Sequence, residues 1–275
     1  MIQFNTEPMA VDHYENFPVA SLLLPPRFRH QVALIYRFAR EADDIADEGD
    51  FPADVRLRRL ERFRQELRKI EAGTPPGIPW FGALAEIILE HRLPLDAFRD
   101  LLSAFSQDVT KKRYADFDEV LDYCRRSANP VGRLLLVLYG NATPRNLNYS
   151  DAICSSLQLI NFLQDIAIDY RKGRIYLPQD ELARFEVSER QFAAGDTGGN
   201  WRALIEFQRQ RARDLLYSGA PLGRILQGRV GLEIRTIVAG GDRILTRIAR
   251  VGGDVFRRRP VLRWFDWPLL LARSL

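Results

Sequence analysis

Cysteine is nearly absent. Cys124 and Cys154 are the only two in 275 residues, which excludes a disulfide framework and any cysteine-built metal cluster. Both stand in apolar, helix-period stretches and read as small core side chains. Lysine is scarce as well, four of 40 basic residues, so arginine carries nearly all the positive charge. No run of 18 apolar residues is present, so no transmembrane helix is expected. The opening Met1–Pro8 stretch lacks the basic and apolar regions of a signal peptide, and a cytoplasmic protein is the expectation. Alternating strand patterns, repeats of 20–50 residues and low-complexity tracts are missing too. What is present is a chain with 46% hydrophobic residues and a net charge of +4, long enough to bury a substantial core. That charge suits nucleic acid, an anionic membrane or a polyanionic substrate equally. Nucleic acid is disfavoured because the aromatics are not interleaved with the basic residues.

Helical periodicity runs through almost the whole sequence. It predicts helices at roughly 28–48, 52–72, 80–91, 94–110, 116–128, 130–140, 149–170, 199–218, 230–250 and 261–273, with helix-like pieces at 178–183 and 188–194. Turn chemistry separates them, as at Gly49-Asp50, Gly73-Thr74-Pro75-Pro76-Gly77 and Gly252-Gly253. Ser150-Asp151 reads as the cap of the 149–170 helix. One all-α domain over residues 1–275 is the simplest account.

Two acidic runs stand out. Asp43-Asp44-Ile45-Ala46-Asp47 follows Tyr36 and Arg40, and Asn161-Phe162-Leu163-Gln164-Asp165 leads to Asp169. In each, two aspartates four residues apart leave one face of a helix. Gln158, Asn161, Asp165 and Asp169 form a polar stripe on an otherwise apolar helix, which is costly unless it finds partners. A solvated face with Arg40 pairing to Asp43 or Asp44 would explain the first run alone. Two such helices facing each other would instead form an oxygen-rich cleft for Mg²⁺, a cation that prefers carboxylates, waters and substrate phosphates. Arg171, Lys172 and Arg174 follow Asp169 directly. They read either as a phosphate clamp or as ordinary basic residues at a helix C-terminus.

Together with Tyr123-Cys124, Ala128, Val131-Gly132 and Arg174-Ile175-Tyr176-Leu177-Pro178, these motifs resemble the squalene and phytoene synthases. The resemblance runs from about residue 13 to about residue 250. It implies an all-α isoprenoid-synthase helical fold with a central active-site cavity. It also implies a prenyl diphosphate substrate and roughly two or three Mg²⁺ ions bound with the diphosphate. The metal ligands would be Asp43, Asp47, Asp165 and Asp169, with Asn161 assisting and the part of Asp44 left open. Tyr36, Arg40 and Tyr123 would line the diphosphate site or the cation pocket, with Gln158, Arg174 and Tyr176 beside them.

Two departures narrow the resemblance. Where a Ser-x-Ser-Phe element is usual, this chain reads His13-Tyr14-Glu15-Asn16-Phe17. The usual Val-Ala-Gly-x-Val-Gly element reads Ser127-Ala128-Asn129-Pro130-Val131-Gly132. Both changes resemble the hydroxysqualene synthase branch of bacterial hopanoid biosynthesis, whose members take presqualene diphosphate, release diphosphate and quench the cation with water. NADPH is not expected on that reading. Presqualene diphosphate synthase and squalene synthase are the alternatives, and a presqualene diphosphate synthase would be a partner handing over substrate. A non-catalytic lipid-binding or assembly scaffold would be expected to lose the four aspartates.

His13, Asn16 and Phe17 would belong to the substrate site. Asn16, Asn129 and Gln164 are candidate anchors for the quenching water. Phe17, Tyr36, Phe38, Tyr123, Phe162 and Tyr176 are candidate walls for a carbocation. Finally, Arg257-Arg258-Arg259 precedes Trp264, Phe265 and Trp267, a pattern that reads either as an interfacial membrane contact or as a helix packed on the domain.

Overall fold

The computed structural model describes residues 23–274. His13, Asn16 and Phe17 lie outside the described residues. After a 3₁₀ turn at Pro26–Phe28 come α1 (Arg29–Asp47), α2 (Ala53–Glu71), α3 (Pro79–His91), α4 (Leu95–Thr110), α5 (Phe117–Ser127), α6 (Asn129–Leu138) and α7 (Pro144–Gln164). They are followed by α8 (Ile166–Arg171), α9 (Gln179–Arg184), α10 (Glu189–Ala194), α11 (Trp201–Gly219), α12 (Leu222–Ile225), α13 (Gly228–Arg250) and α14 (Asp266–Ser274). The described residues contain no strand, as the missing alternation predicts.

Two expectations about the second acidic run are corrected. The helix expected over 149–170 begins earlier, at Pro144, with Thr143 as the cap accepting from the Asn146 backbone amide. Ser150 and Asp151 are therefore interior residues. A proline at the first helical position costs no hydrogen bond, which makes Thr143-Pro144 the better start. The same helix is also interrupted at Asp165, where φ −104° and ψ 12° separate α7 from α8. Asp169 therefore stands on its own short helix, beyond a bend.

Two large apolar clusters fill most of the interior, and a small third one joins Leu24, Val32 and Leu138. One is built by α1 to α4, with Phe38 at its centre against the rings of Phe98 (5.0 Å), Phe63 (5.7 Å) and Phe81 (5.9 Å). Phe38 is fully buried there, so it is core and not a wall of any substrate site. The other cluster gathers α5, α7, α11 and α13. Helices α4 and α6 send side chains into both, Leu101 and Leu134 to the first and Ala104 and Leu136 to the second.

Close packing along α7 depends on glycine. A Cβ at Gly219 would lie 2.5 Å from the Tyr149 carbonyl oxygen, and one at Gly132 2.3 Å from Ser150 Oγ. The acidic end of α1 is held separately. Arg56 on α2 donates to the carbonyls of Ala46 (2.6 Å), Gly49 (2.5 Å) and Phe51 (3.0 Å). A guanidinium at this helix C-terminus satisfies orphan carbonyls and opposes the negative end of the helix dipole, one residue from Asp47.

Candidate active site

The two acidic ridges meet across one cleft. Arg174, four residues beyond Tyr170 at the end of α8, reaches back to Asp47 on α1 and donates to both carboxylate oxygens at 2.7 Å. Lys172 adds a contact to Asp47 at 3.2 Å and one to Glu48 at 3.6 Å. Arg40 pairs with Asp44 at 2.9 Å and stands 4.0 Å from Asp43. Arg259, far along the chain, holds Asp165 through two contacts of 2.5 and 3.1 Å. Asn161 is exposed, and Gln158 and Tyr36 are half-buried.

Electrostatics show how crowded the carboxylates are. Burial and then the charges of Asp47 and Asp108 push the Asp43 carboxyl up to about 8, against the pull of Arg40. The Asp43 side chain keeps 41% of its surface accessible, so water screens part of that repulsion. Asp169 rises to about 7, through burial and then the repulsion of Asp165 and Asp47, with Arg174 opposing. At Asp47 burial works in the same upward direction, but the hydrogen bonds and charges of Arg174 and Lys172 outweigh it and the carboxyl titrates below its ordinary range.

Behind the ridges lies Asp108 on α4, 3% exposed. It accepts from Tyr123 Oη at 2.5 Å and from Tyr176 Oη at 2.9 Å, and stands 3.8 Å from Arg174. Desolvation lifts it to about 6 even though the two phenols and Arg174 favour its charge. Tyr123 and Tyr176 stay neutral, their phenols raised by burial and by the adjacent carboxylate. Around them is an aromatic box. Phe162 stacks on Tyr176 at 3.8 Å, and Tyr114 and Tyr123 lie 5.4 and 5.6 Å from Tyr176. The central space is narrow because this stack fills it, and the cavity between Phe162, Asp169, Arg174 and Tyr176 holds about 10 Å³. A larger cavity of about 600 Å³ opens near Arg145, at the opposite end of α7 from Asp165, and none of the acidic ridge residues lines it.

Two candidate water anchors have other occupations. Asn129 is 2% exposed and its Oδ1 accepts from Ser155 Oγ at 2.9 Å, tying α6 to α7. Gln164 is 1% exposed and donates to the Pro260 carbonyl at 2.5 Å. A buried amide needs partners of this kind, and the packing supplies them without a ligand. Two participants were not anticipated from sequence. Asp108 was legible, since Leu101, Ala104, Phe105 and Asp108 share one helical stripe and an acid at a core position signals a built site. Arg259 was not, because nothing local ties it to Asp165, 94 residues earlier.

The donor set suits a hard divalent cation. It is all oxygen, with four carboxylates and the Asn161 amide, and two of those carboxylates, Asp43 and Asp169, are raised by burial and then by the charges of neighbouring aspartates. As placed, no three acidic, histidine or cysteine side chains among the described residues converge on one point, and arginine and lysine supply the counter-charge. Arg174 Nε is buried and has no acceptor among the described residues, as suits a donor facing an anionic ligand.

Residues 10–266 match the squalene/phytoene synthase family, and the chain belongs to that family. It is 40% identical to a hydroxysqualene synthase of Rhodopseudomonas palustris over 84% of this chain and 78% of that one. A hydroxysqualene synthase of Zymomonas mobilis is 36% identical (81% and 75%), and a phytoene synthase of Arthrospira platensis 32% (91% and 85%). The crystal structure of squalene synthase HpnC from Alicyclobacillus acidocaldarius superposes with a TM-score of 0.79 at 35% identity, over 87% of this chain and 90% of that one. A dehydrosqualene synthase shares the fold at 24% identity, with a TM-score of 0.81 over 92% and 87%. The protein is thus an all-helical enzyme of a family that uses Mg²⁺ with prenyl diphosphates. Among the described residues no helix is long and apolar enough to cross a membrane.

Proposed function

We propose that this enzyme converts presqualene diphosphate and water into hydroxysqualene and diphosphate. The observation that carries the diphosphate part is the Asp47–Arg174 pair, which brings the two acidic ridges and a buried guanidinium into one cleft. The likeness to hydroxysqualene synthases at 34–40% identity, together with Asn129 in place of the usual glycine, supports this product over its alternatives.

In this reading Asp43, Asp47, Asp165 and Asp169, with Asn161, would hold Mg²⁺, and Asp44 stays with Arg40. Bound there, Mg²⁺ supplies positive charge that stabilises the departing diphosphate. Arg174, Lys172 and Arg40 orient the diphosphate and share its developing charge as the carbon–oxygen bond breaks and its electron pair leaves with oxygen. Arg174 and Arg259 must exchange a carboxylate partner for a phosphate or move aside as the site loads. The Phe162–Tyr176 stack would have to part as the site loads, so that these rings and Tyr123 face the cation and exclude bulk water. Asp108 fixes the tyrosine hydroxyls so that they face the carboxylate and leave the rings to the substrate. One water then bonds through its oxygen to the rearranged carbon and passes a proton to the released diphosphate, leaving the neutral alcohol.

The test is incubation of the purified protein with Mg²⁺ and presqualene diphosphate without NADPH, followed by lipid analysis. Hydroxysqualene is the expected product. Squalene as the sole product, or turnover only from farnesyl diphosphate, would overturn the reading. The second outcome would favour a presqualene diphosphate synthase. Squalene formation when NADPH is supplied would favour a squalene synthase, the name carried by the HpnC structure.

A further inference from the structure

The segment between α13 and α14 is fixed on its inner side and apolar on its outer side. Inward, Gly253 accepts from Trp201 Nε1 at 2.9 Å, Pro260 from Gln164, and Val261 from Arg247. Buried Asp266 takes Arg243 at 3.1 Å, Arg247 at 2.8 Å and the Arg263 amide at 2.7 Å, which sets where α14 begins. Outward, Trp264 is 82% exposed, Phe265 47% and Leu269 40%. The other large apolar side chains that are this exposed, Phe51, Leu89, Tyr217 and Ile225, are scattered along the chain. Three within six residues make a patch, and soluble surfaces rarely leave such a patch without a use.

Arg257, Arg258 and Arg263 are exposed on the same segment. Arg257 has a loose pair with Asp254 at 3.4 Å, and Arg263 lies 6.0 Å from the Phe265 ring. Arg258 shows no ion pair among the described residues. A tryptophan and a phenylalanine flanked by arginines match the boundary between acyl chains and anionic headgroups.

We infer that Arg257, Arg258, Arg263, Trp264, Phe265 and Leu269 form a docking surface for an anionic phospholipid bilayer. A second copy of this chain fits less well, because a two-fold contact would set the arginines against themselves. The surface does not depend on the identity of the reaction. Its purpose does rest on the proposed lipid substrate, since Arg259 and Pro260 in the same segment touch Asp165 and Gln164, so a docked bilayer would lie beside the acidic cleft.

The experiment is vesicle flotation of the full chain without substrate, comparing pure phosphatidylcholine with mixtures containing phosphatidylglycerol. The protein is expected to float with the anionic vesicles, less so as salt rises, and weakly with neutral ones. W264S/F265S should bind at least about tenfold more weakly, and each of R257S and R258S about fivefold more weakly on anionic vesicles only. Circular dichroism and melting temperature should be unchanged in all three, and W264S/F265S should turn over detergent-dispersed substrate normally. No flotation with anionic vesicles, or equal flotation of W264S/F265S, overturns the inference. A dimer in solution that W264S/F265S dissociates would assign the patch to a second copy and also overturn it. Absence of flotation by the parent chain, with its turnover intact, refutes docking alone. Flotation without any prenyl diphosphate turnover refutes the proposed reaction and leaves the docking surface standing.

Discussion

At Asp108 two phenol hydroxyls converge on one carboxylate that water barely reaches, with Arg174 3.8 Å away. Leaving those donors unpaired costs about 1–3 kcal/mol each. We predict that Asp108→Leu lowers stability by about 2–6 kcal/mol, whereas Asp108→Asn, which keeps an oxygen acceptor, loses less. Differential scanning calorimetry on both variants checks this, and equal melting temperatures for Asp108→Leu and the parent would refute it. Among the ridge residues, Asp43→Ala or Asp165→Ala is expected to cut turnover by about a hundredfold or more while circular dichroism keeps its helical signal. Normal turnover in either variant would remove that aspartate from the metal assignment.

The raised carboxyls make a separate prediction about pH. Asp108, Asp169 and Asp43 hold protons in the folded state up to about 6, 7 and 8, above their unfolded values. Their stabilising contribution is complete below the unfolded value, near 4, and is lost as pH rises through 6 to 8. Asp47 and Asp266 shift the opposite way, so they vary only at acid pH and do not offset the loss in that window. The metal-free protein should therefore melt at a lower temperature at pH 8 than at pH 6 in EDTA. Mg²⁺ should reduce that difference, since a bound cation favours the ionised carboxylates. A melting temperature that rises with pH in EDTA would contradict the crowding described for this cleft.

At the scale of elements, the break between α7 and α8 and the strap after α13 are coupled. Gln164 closes α7 and holds Pro260, and Asp165 at the break holds Arg259. Replacing Gln164 by Leu leaves the Pro260 carbonyl without this donor and should cost about 1–3 kcal/mol. Hydrogen exchange should rise in residues 254–262 and stay unchanged in α2 and α3, and uniform protection in both regions would show that the tether is dispensable. The α7–α11 contact is limited by backbone approach at Gly219. Gly219→Ala forces the helices apart, an overpacking worth about 1–3 kcal/mol, which a denaturant midpoint would record.

At the scale of the whole molecule, the two large apolar clusters meet along α4 and α6, and the acidic cleft sits where α1 and the α7–α8 bend face each other. Arginine dominates the cleft as well as the composition. Its planar fork makes the two-point contacts seen at Asp47 and Asp165, which an ammonium group does not reproduce. Arg174→Lys should accordingly lower kcat/KM by about tenfold or more with helical content unchanged, and parental kinetics would show that the fork is not needed.

Much of this was written in the chain's periodicity. The 3.6-residue pattern located the long helices, and aspartates four apart inside apolar stretches singled out the two ridges, because side-chain direction on a helix follows from spacing alone. Spacing says nothing about which distant residue supplies a buried charge's partner. The bend at Asp165, the grip of Arg259 on that residue and the use of Gln164 as a tether depend on contacts across about a hundred residues of chain. The same holds for Asp108 as the acceptor for both tyrosines, and for Phe38 as core and not wall. Local sequence determined the helices and the faces they present. Only packing decided which faces meet, because burial sets the cost of every unpaired polar group and the folded arrangement is the one that pairs them.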